Sequence, residues 1–276
     1  ERLAKVAPDA EKLSTLRKVA AELEDKDGAA DRAIAAYQSV IDIEPGADDA
    51  YRGLGRILRG AARWYDLTAL LDRHVAAAKN PVQRVELYQE AAVIYEKELD
   101  DPHRAIEAYL NALAIDDKSR AALAALPRLY KRTEAWEKAV ATLARHAELE
   151  GNRGAALLAE AGALALTELG DREAAERYLD KALGLDPDHL LALRTLADVN
   201  VAKGAWSSAL DYLLRAEAVA PQRGDRIELL SRAAEICEQR LEDPSRALGL
   251  LERVLKLDPD HVGAGEKVAD RLVAAE

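Results

Sequence analysis

The sequence predicts an all-α fold, an α-α superhelix of about seven helical hairpins with one further helix at the C-terminal end. Three observations carry that reading: a long self-similarity, a helical period of apolar residues inside each similar block, and prolines placed where helices must stop. Leu87-Tyr88-Gln89-Glu90-Ala91-Ala92 aligns with Leu229-Leu230-Ser231-Arg232-Ala233-Ala234, and the match continues without a gap to Asp101-Pro102 against Asp243-Pro244, at an offset of 142. Trp64, Trp136 and Trp206 are spaced by 72 and 70, so the unit is about 71 residues long and built from two unlike halves. A fixed period of this kind marks a repeat architecture in which each unit buries its apolar face on its neighbours.

Each half reads as two helices joined by a turn. In the third, Tyr88, Ala91, Ala92 and Tyr95 recur at i, i+3, i+4 and i+7, a turn holds Asp101-Pro102, and Ala105, Tyr109 and Ala112 resume the helical spacing. Ala33, Ala105, Ala139, Ala175, Ala209 and Ala247 mark where a second helix must approach the first closely, with Leu67 in that slot of the second hairpin. Their spacings of 34, 38, 34, 36, 34 and 38 define the hairpins, at approximately 11–45, 48–79, 82–117, 120–151, 154–187, 190–221 and 224–259. Pro45, Pro187, Pro221 and Pro259 each follow the small residue by twelve and cannot donate into a continuing helix. Val6-Ala7-Pro8 matches Val219-Ala220-Pro221, so residues 1–9 read as the end of a preceding second helix, broken at Pro8. Residues 260–276 read as a first helix without a second. The whole of 1–276 thus reads as a single solenoid, an internal segment of a longer array.

The pattern Tyr51-x2-Leu54-Gly55-x2-Leu58, then Trp64, Leu67 and Leu71, resembles a tetratricopeptide repeat. So does Leu193-x2-Leu196-Ala197 followed by Gly204, Ala209, Leu213, Ala216 and Pro221. Pro127, standing where Gly or Ala is usual, and His74 and His146 late in second helices depart from the family's pattern. The resemblance implies a right-handed superhelix whose first helices line a concave groove that receives extended peptides.

Composition narrows the function classes. The chain has 276 residues, 49% hydrophobic and 32% charged, and its 39 basic against 50 acidic side chains leave a net charge of −11. That composition is globular, and the acidity argues against a nucleic-acid partner. No stretch approaches the roughly 18 to 20 uncharged apolar residues of a membrane helix, and Glu1-Arg2-Leu3-Ala4-Lys5 lacks a secretory apolar region. Direct membrane insertion is not expected, and a soluble, cytoplasmic location is favoured over a periplasmic one. Twenty-six arginines against thirteen lysines fit a GC-rich, bacterial coding sequence, while the absence of Met and Phe also fits an engineered repeat protein.

Motifs with catalytic or cofactor mechanics are missing. The chain has no Gly-x4-Gly-Lys-Ser/Thr, no Gly-x-Ser-x-Gly and no His-Glu-x-x-His. His103 with Glu107 and His146 with Glu150 each lie one helical turn apart, but a zinc site needs three or four ligands. Asp25-Lys26-Asp27-Gly28 fails the calcium-loop pattern, which would place Leu23 and Ile34 at ligand positions. Cys237 aligns with Tyr95 on the apolar stripe and reads as a packed thiol. No catalytic residue, no cofactor and no metal ligand is expected, and the chain is not read as an enzyme.

One surface stands out. Arg52, Arg56 and Arg59 fall at i, i+4 and i+7 on one first helix, and Arg128, Lys131 and Arg132 cluster on another. The resemblance would face these six toward a peptide, which their charge would select as an acidic segment or a C-terminal carboxylate. The plainer reading is a solvated face balanced by Glu86, Glu90 and Glu96. The expected function is a protein-protein interaction scaffold with a protein or peptide partner. The rivals are an assembly strut that self-associates end to end, through Val268 and Leu272, and an engineered protein without a natural partner.

Overall fold

The computed structural model describes residues 10–24, 26 and 28–270 in full and the backbone alone of 2–9 and 271–273. Among the described residues it holds fifteen α-helices, one 3-10 turn and no strand. The chain divides into two compact units, Glu1–Thr133 and Glu134–Glu276. Unit 1 holds α1 (Arg2–Glu24), α2 (Ala30–Ile43), α3 (Asp48–Gly60), α4 (Trp64–Ala77), α5 (Pro81–Lys97), α6 (Pro102–Ile115) and α7 (Arg120–Arg132). Unit 2 holds α8 (Trp136–Glu150), α9 (Ala155–Thr167), α10 (Arg172–Leu185), α11 (Leu190–Lys203), α12 (Trp206–Val219), α13 (Arg223–Gln239), α14 (Pro244–Leu257) and α15 (Val262–Val273), with the 3-10 turn at Gly151–Arg153.

Helix ends follow the local chemistry. Asp101, Asp171 and Asp243 cap α6, α10 and α14 by accepting a hydrogen bond from the backbone N–H three residues on, at 3.0, 2.9 and 2.9 Å. Pro102 and Pro244 follow two of these caps at the first helical position, where a missing N–H costs nothing. Trp64, Trp136 and Trp206 open α4, α8 and α12, each after a left-handed residue two positions earlier: Ala62, Glu134 and Gly204. One boundary differs from the sequence reading: α1 runs on through Pro8, where a break was expected. Proline withdraws only its own N–H and its ring crowds one carbonyl, so a helix can pass it at a cost of about 3 kcal/mol. Pro127 is passed in the same way inside α7.

Within each unit every helix packs on its neighbours in the chain, and the first helices α1 and α3, and α9 and α11, also touch. Ala33, Leu67, Ala105, Ala139, Ala175 and Ala209 are fully buried, and Ala247 nearly so. In unit 2 the apolar interior runs along the stack as two clusters. One joins Val140 and Leu143 to Leu179 and Leu196, and the other joins Leu193 and Leu213 to Leu230, Cys237 and Val254.

Candidate functional site

The helix that carries the first basic stripe is α3. Its core face sends Tyr51, Leu54 and Leu58 inward. Gly53 leaves room for the ring of Tyr37, which lies 2.3 Å from where a Cβ would stand. Arg52, Arg56 and Arg59 fall on the opposite edge and border a cleft of about 260 Å³ between α3, α4 and α5. Leu70, Leu71 and Leu87 supply apolar walls, and Gly55 keeps the cleft open on the α3 side. His74 closes one end: its ring stacks on Tyr51 at 4.0 Å with a 2° tilt, and its Nε2 lies 2.8 Å from Asp48 Oδ1. The Gln83 amide donates to the same Asp48 oxygen at 2.9 Å. Hydrogen bonds from His74, then Gln83, hold the Asp48 carboxyl below its ordinary range. His74 is therefore a satisfied core histidine, as a small-residue slot filled by a larger ring demands. A second cleft, of about 470 Å³, shares Arg59 and Glu90 with the first and adds Trp64, Val93 and Tyr109.

Most of the charge on the two basic clusters is answered from within. Arg56 forks onto Glu24 at 2.6 and 2.9 Å, and Arg59 pairs with Glu90. Arg128 pairs with Glu96 at 2.8 Å and Arg132 with Asp100 at 2.5 Å. Arg56, helped by Tyr37 and opposed by burial, holds the Glu24 carboxyl below its ordinary range. Arg52 differs. Its Nε donates to the Asp48 carbonyl at 3.3 Å, and no carboxylate partner meets its guanidinium among the described residues. Arg128, Lys131 and Arg132 all lie on α7 and border neither cleft.

The six cations thus do not form one continuous unpaired stripe. First helices of consecutive hairpins lie side by side, and an offset of 31 or 32 residues sets a turn of one opposite the same turn of the next. Opposite charges at that offset were the signal available in the sequence, and Glu24 and Asp100 were missed for want of it. Unit 2 also pairs charges between first helices, there at an offset of 34, with Arg194 on Glu228 at 3.0 Å and Arg232 on Asp198.

Nothing else converges. Among the described residues no group of three His, Cys, Asp or Glu could hold a metal ion. His146 Nε2 lies 3.7 Å from Glu150. Cys237 is fully buried, and burial pushes its thiol up. Asp25 and Asp27 of the calcium-like segment and the side chain of Leu272 lie outside the described residues, while Val268 packs partly against the unit 2 core. Among the described residues no helix is long and apolar enough to cross a membrane.

Family models match two parts of the chain: the description "Tetratricopeptide repeat" fits residues 85–119 and, separately, 166–233. In those two stretches the chain is similar to the tetratricopeptide repeat family. No curated protein matches it. Solved structures similar in fold include the C-terminal part of a tetratricopeptide repeat-containing protein from Cytophaga hutchinsonii, at 16% identity and a TM-score of 0.55, covering 91% of this chain and 99% of that one. The structure of Naa15/Naa10 bound to HypK-THB matches at 18% identity and a TM-score of 0.63, over 96% of this chain and 39% of that chain. The MamA protein matches at 17% and 0.53, over 65% of this chain and 94% of that chain. At these identities the likeness is one of fold.

Proposed function

We propose that this chain is a non-catalytic protein-interaction scaffold, and that unit 1 takes an extended peptide across α3 and α5. The observation that carries this reading is the cleft between α3, α4 and α5, with leucine walls and an arginine rim. A site that joins an apolar slot to one convergent charge binds a side chain in the slot and orients it by the charge. The apolar walls take a branched or aromatic side chain of the peptide. Arg52 takes an adjacent carboxylate, because among the described residues no acid forms an ion pair with its guanidinium. Arg56 and Arg59 give the rim its shape and add less affinity, since a ligand would have to displace Glu24 and Glu90. The preferred segment is therefore apolar with one nearby acid, rather than a polyacidic run.

The test is fluorescence-anisotropy binding of an acidic-apolar peptide array to the wild type, Arg52→Glu and Gly55→Leu. A Cβ at Gly55 meets Leu67 only at 3.7 Å, an ordinary contact, so the larger residue fills the cleft and leaves the helix sound. Arg52→Glu is expected to weaken captured peptides at least tenfold and Gly55→Leu to abolish them, while Arg128→Glu leaves them unchanged. Peptides held equally by all four proteins would overturn the assignment.

A further inference from the structure

Helices α4, α5 and α6 have the same lengths as α12, α13 and α14 and begin 142 residues before them, so residues at that offset hold equivalent positions in the two units. Near the end of α12, Glu217 is 3% exposed and both its carboxylate oxygens are taken. Arg226 of α13 donates to Oε1 from Nε at 3.0 Å and from Nη2 at 2.7 Å, and Arg253 of α14 donates to Oε2. The unit 1 equivalents are Val75, Arg84 and Asn111. Unit 1 has kept the central arginine and lost the acid. The consequence is visible at Arg84, whose Nε is buried without a hydrogen-bond partner and whose guanidinium meets no acid among the described residues. A guanidinium cannot shed its charge, and a buried donor left unmade is costly.

A cavity of about 370 Å³ opens between α4, α5 and α6 over Tyr88, Ala91 and Tyr95, and Asn111 stands in its wall. Arg84 lies one turn before Tyr88 on the same face of α5. At about 100° per residue, Glu90 lies roughly 120° around α5 from Arg84. Arg104, Asp72 and Glu107 also face the cavity. Burial, and then Glu107, push the Asp72 carboxyl above its ordinary range.

We propose that this face of unit 1 is a second binding site, which accepts a single acidic side chain from a partner protein to supply the carboxylate that Glu217 supplies from within in unit 2. The partner's carboxylate accepts from Arg84 Nε–H and from the guanidinium, while the Asn111 amide, standing where Arg253 stands in unit 2, donates to its outer oxygen. Asp72 and Glu107 repel a second acid, so the segment carries one carboxylate flanked by neutral or basic residues. The site does not depend on the peptide clefts, and substitutions at Arg52 or Gly55 leave it intact.

The test follows the arginine Nε–H signals of the full chain, labelled with nitrogen-15 arginine, during titration with N-acetyl-glutamate methylamide. N-acetyl-glutamine methylamide, sodium chloride and inorganic phosphate serve as separate arms. A saturable shift of the Arg84 signal with the glutamate probe alone is expected, with Arg226 unmoved because Glu217 already holds it. Val75→Glu supplies the missing acid from within and should remove the response. Should that variant not fold, Arg84→Met identifies the signal, and the same peptide array supplies the second readout, through loss of single-acid peptides that Gly55→Leu still binds. An equal shift with glutamine or chloride, a stronger one with phosphate, or a response that survives Val75→Glu would overturn the proposal.

Discussion

Single residues show where packing tolerates no addition. At Gly162 in α9 a Cβ would stand 2.6 Å from Leu179 Cγ and 3.1 Å from the Ala175 carbonyl oxygen. Gly162→Ala recovers about 1 kcal/mol of helix propensity but forces a backbone-limited contact worth about 1–3 kcal/mol. The clash wins, and chemical denaturation should show a net loss of about 1–2 kcal/mol. The turns before α4 and α8 tell the opposite story. Ala62 and Glu134 hold φ of 53° and 56°, where the equivalent turn before α12 has Gly204. A side chain in this region costs about 1–2 kcal/mol, so Ala62→Gly should raise the urea midpoint although it removes a methyl group. Tyr37, buried and donating to Glu24 at 2.8 Å, has its phenol pushed up to about 12. A raised acid stabilises the fold in full below its ordinary value of 10.0 and loses that contribution as pH rises toward 12. Tyr37→Phe should therefore flatten the alkaline limb of a stability–pH curve between those values.

Between elements, charge pairs align first helices that apolar burial already holds together. The pairs Glu24–Arg56 and Glu96–Arg128 leave their arginines 61% and 62% exposed, so each is worth about 0.2–1 kcal/mol and weakens in salt. A double-mutant cycle on Glu24 and Arg56 should return a coupling in that range, read from thermal unfolding at low ionic strength. Its pH dependence has a definite sign. Glu24 is depressed from its ordinary 4.5, so the coupling is full above that value and is lost as pH falls through the folded value. The Arg56→Ala and wild-type midpoints should converge in acid. Element ends were readable in advance, because proline and capping aspartate act through bonds only a few residues long. The partner of each arginine was not, because it stands on another hairpin and is set by the register of stacked helices.

At the scale of a whole unit, the described apolar burial of unit 2 is divided between two clusters and not gathered in one core. The clusters of unit 2 pass from helix to helix along the stack, so a defect stays near its own hairpin. In Gly162→Ala, hydrogen exchange should accelerate first in α9 and α10 and last in α13 and α14. Glu217→Ala should act locally at the other end of that unit: it removes bonds to two arginines, which remain 40% and 44% exposed, and should cost about 2 kcal/mol.

The sequence by itself determined the helices, their turns and the small residues between them, because a 3.6-residue period, a proline and an aspartate cap are local constraints. It also held the Val75–Glu217 difference, as one of many between two helices of equal length. Tertiary structure decided which charges are spent and which are left over. Arg56 and Arg59 look alike along α3 beside Arg52, yet Glu24 and Glu90 answer two of the three. Arg84 matches Arg226 in sequence, yet only one of them meets a carboxylate. The physical reason is that a charge is neutralised by whatever lies within about 4 Å, and for stacked hairpins that neighbour is some thirty residues away along the chain.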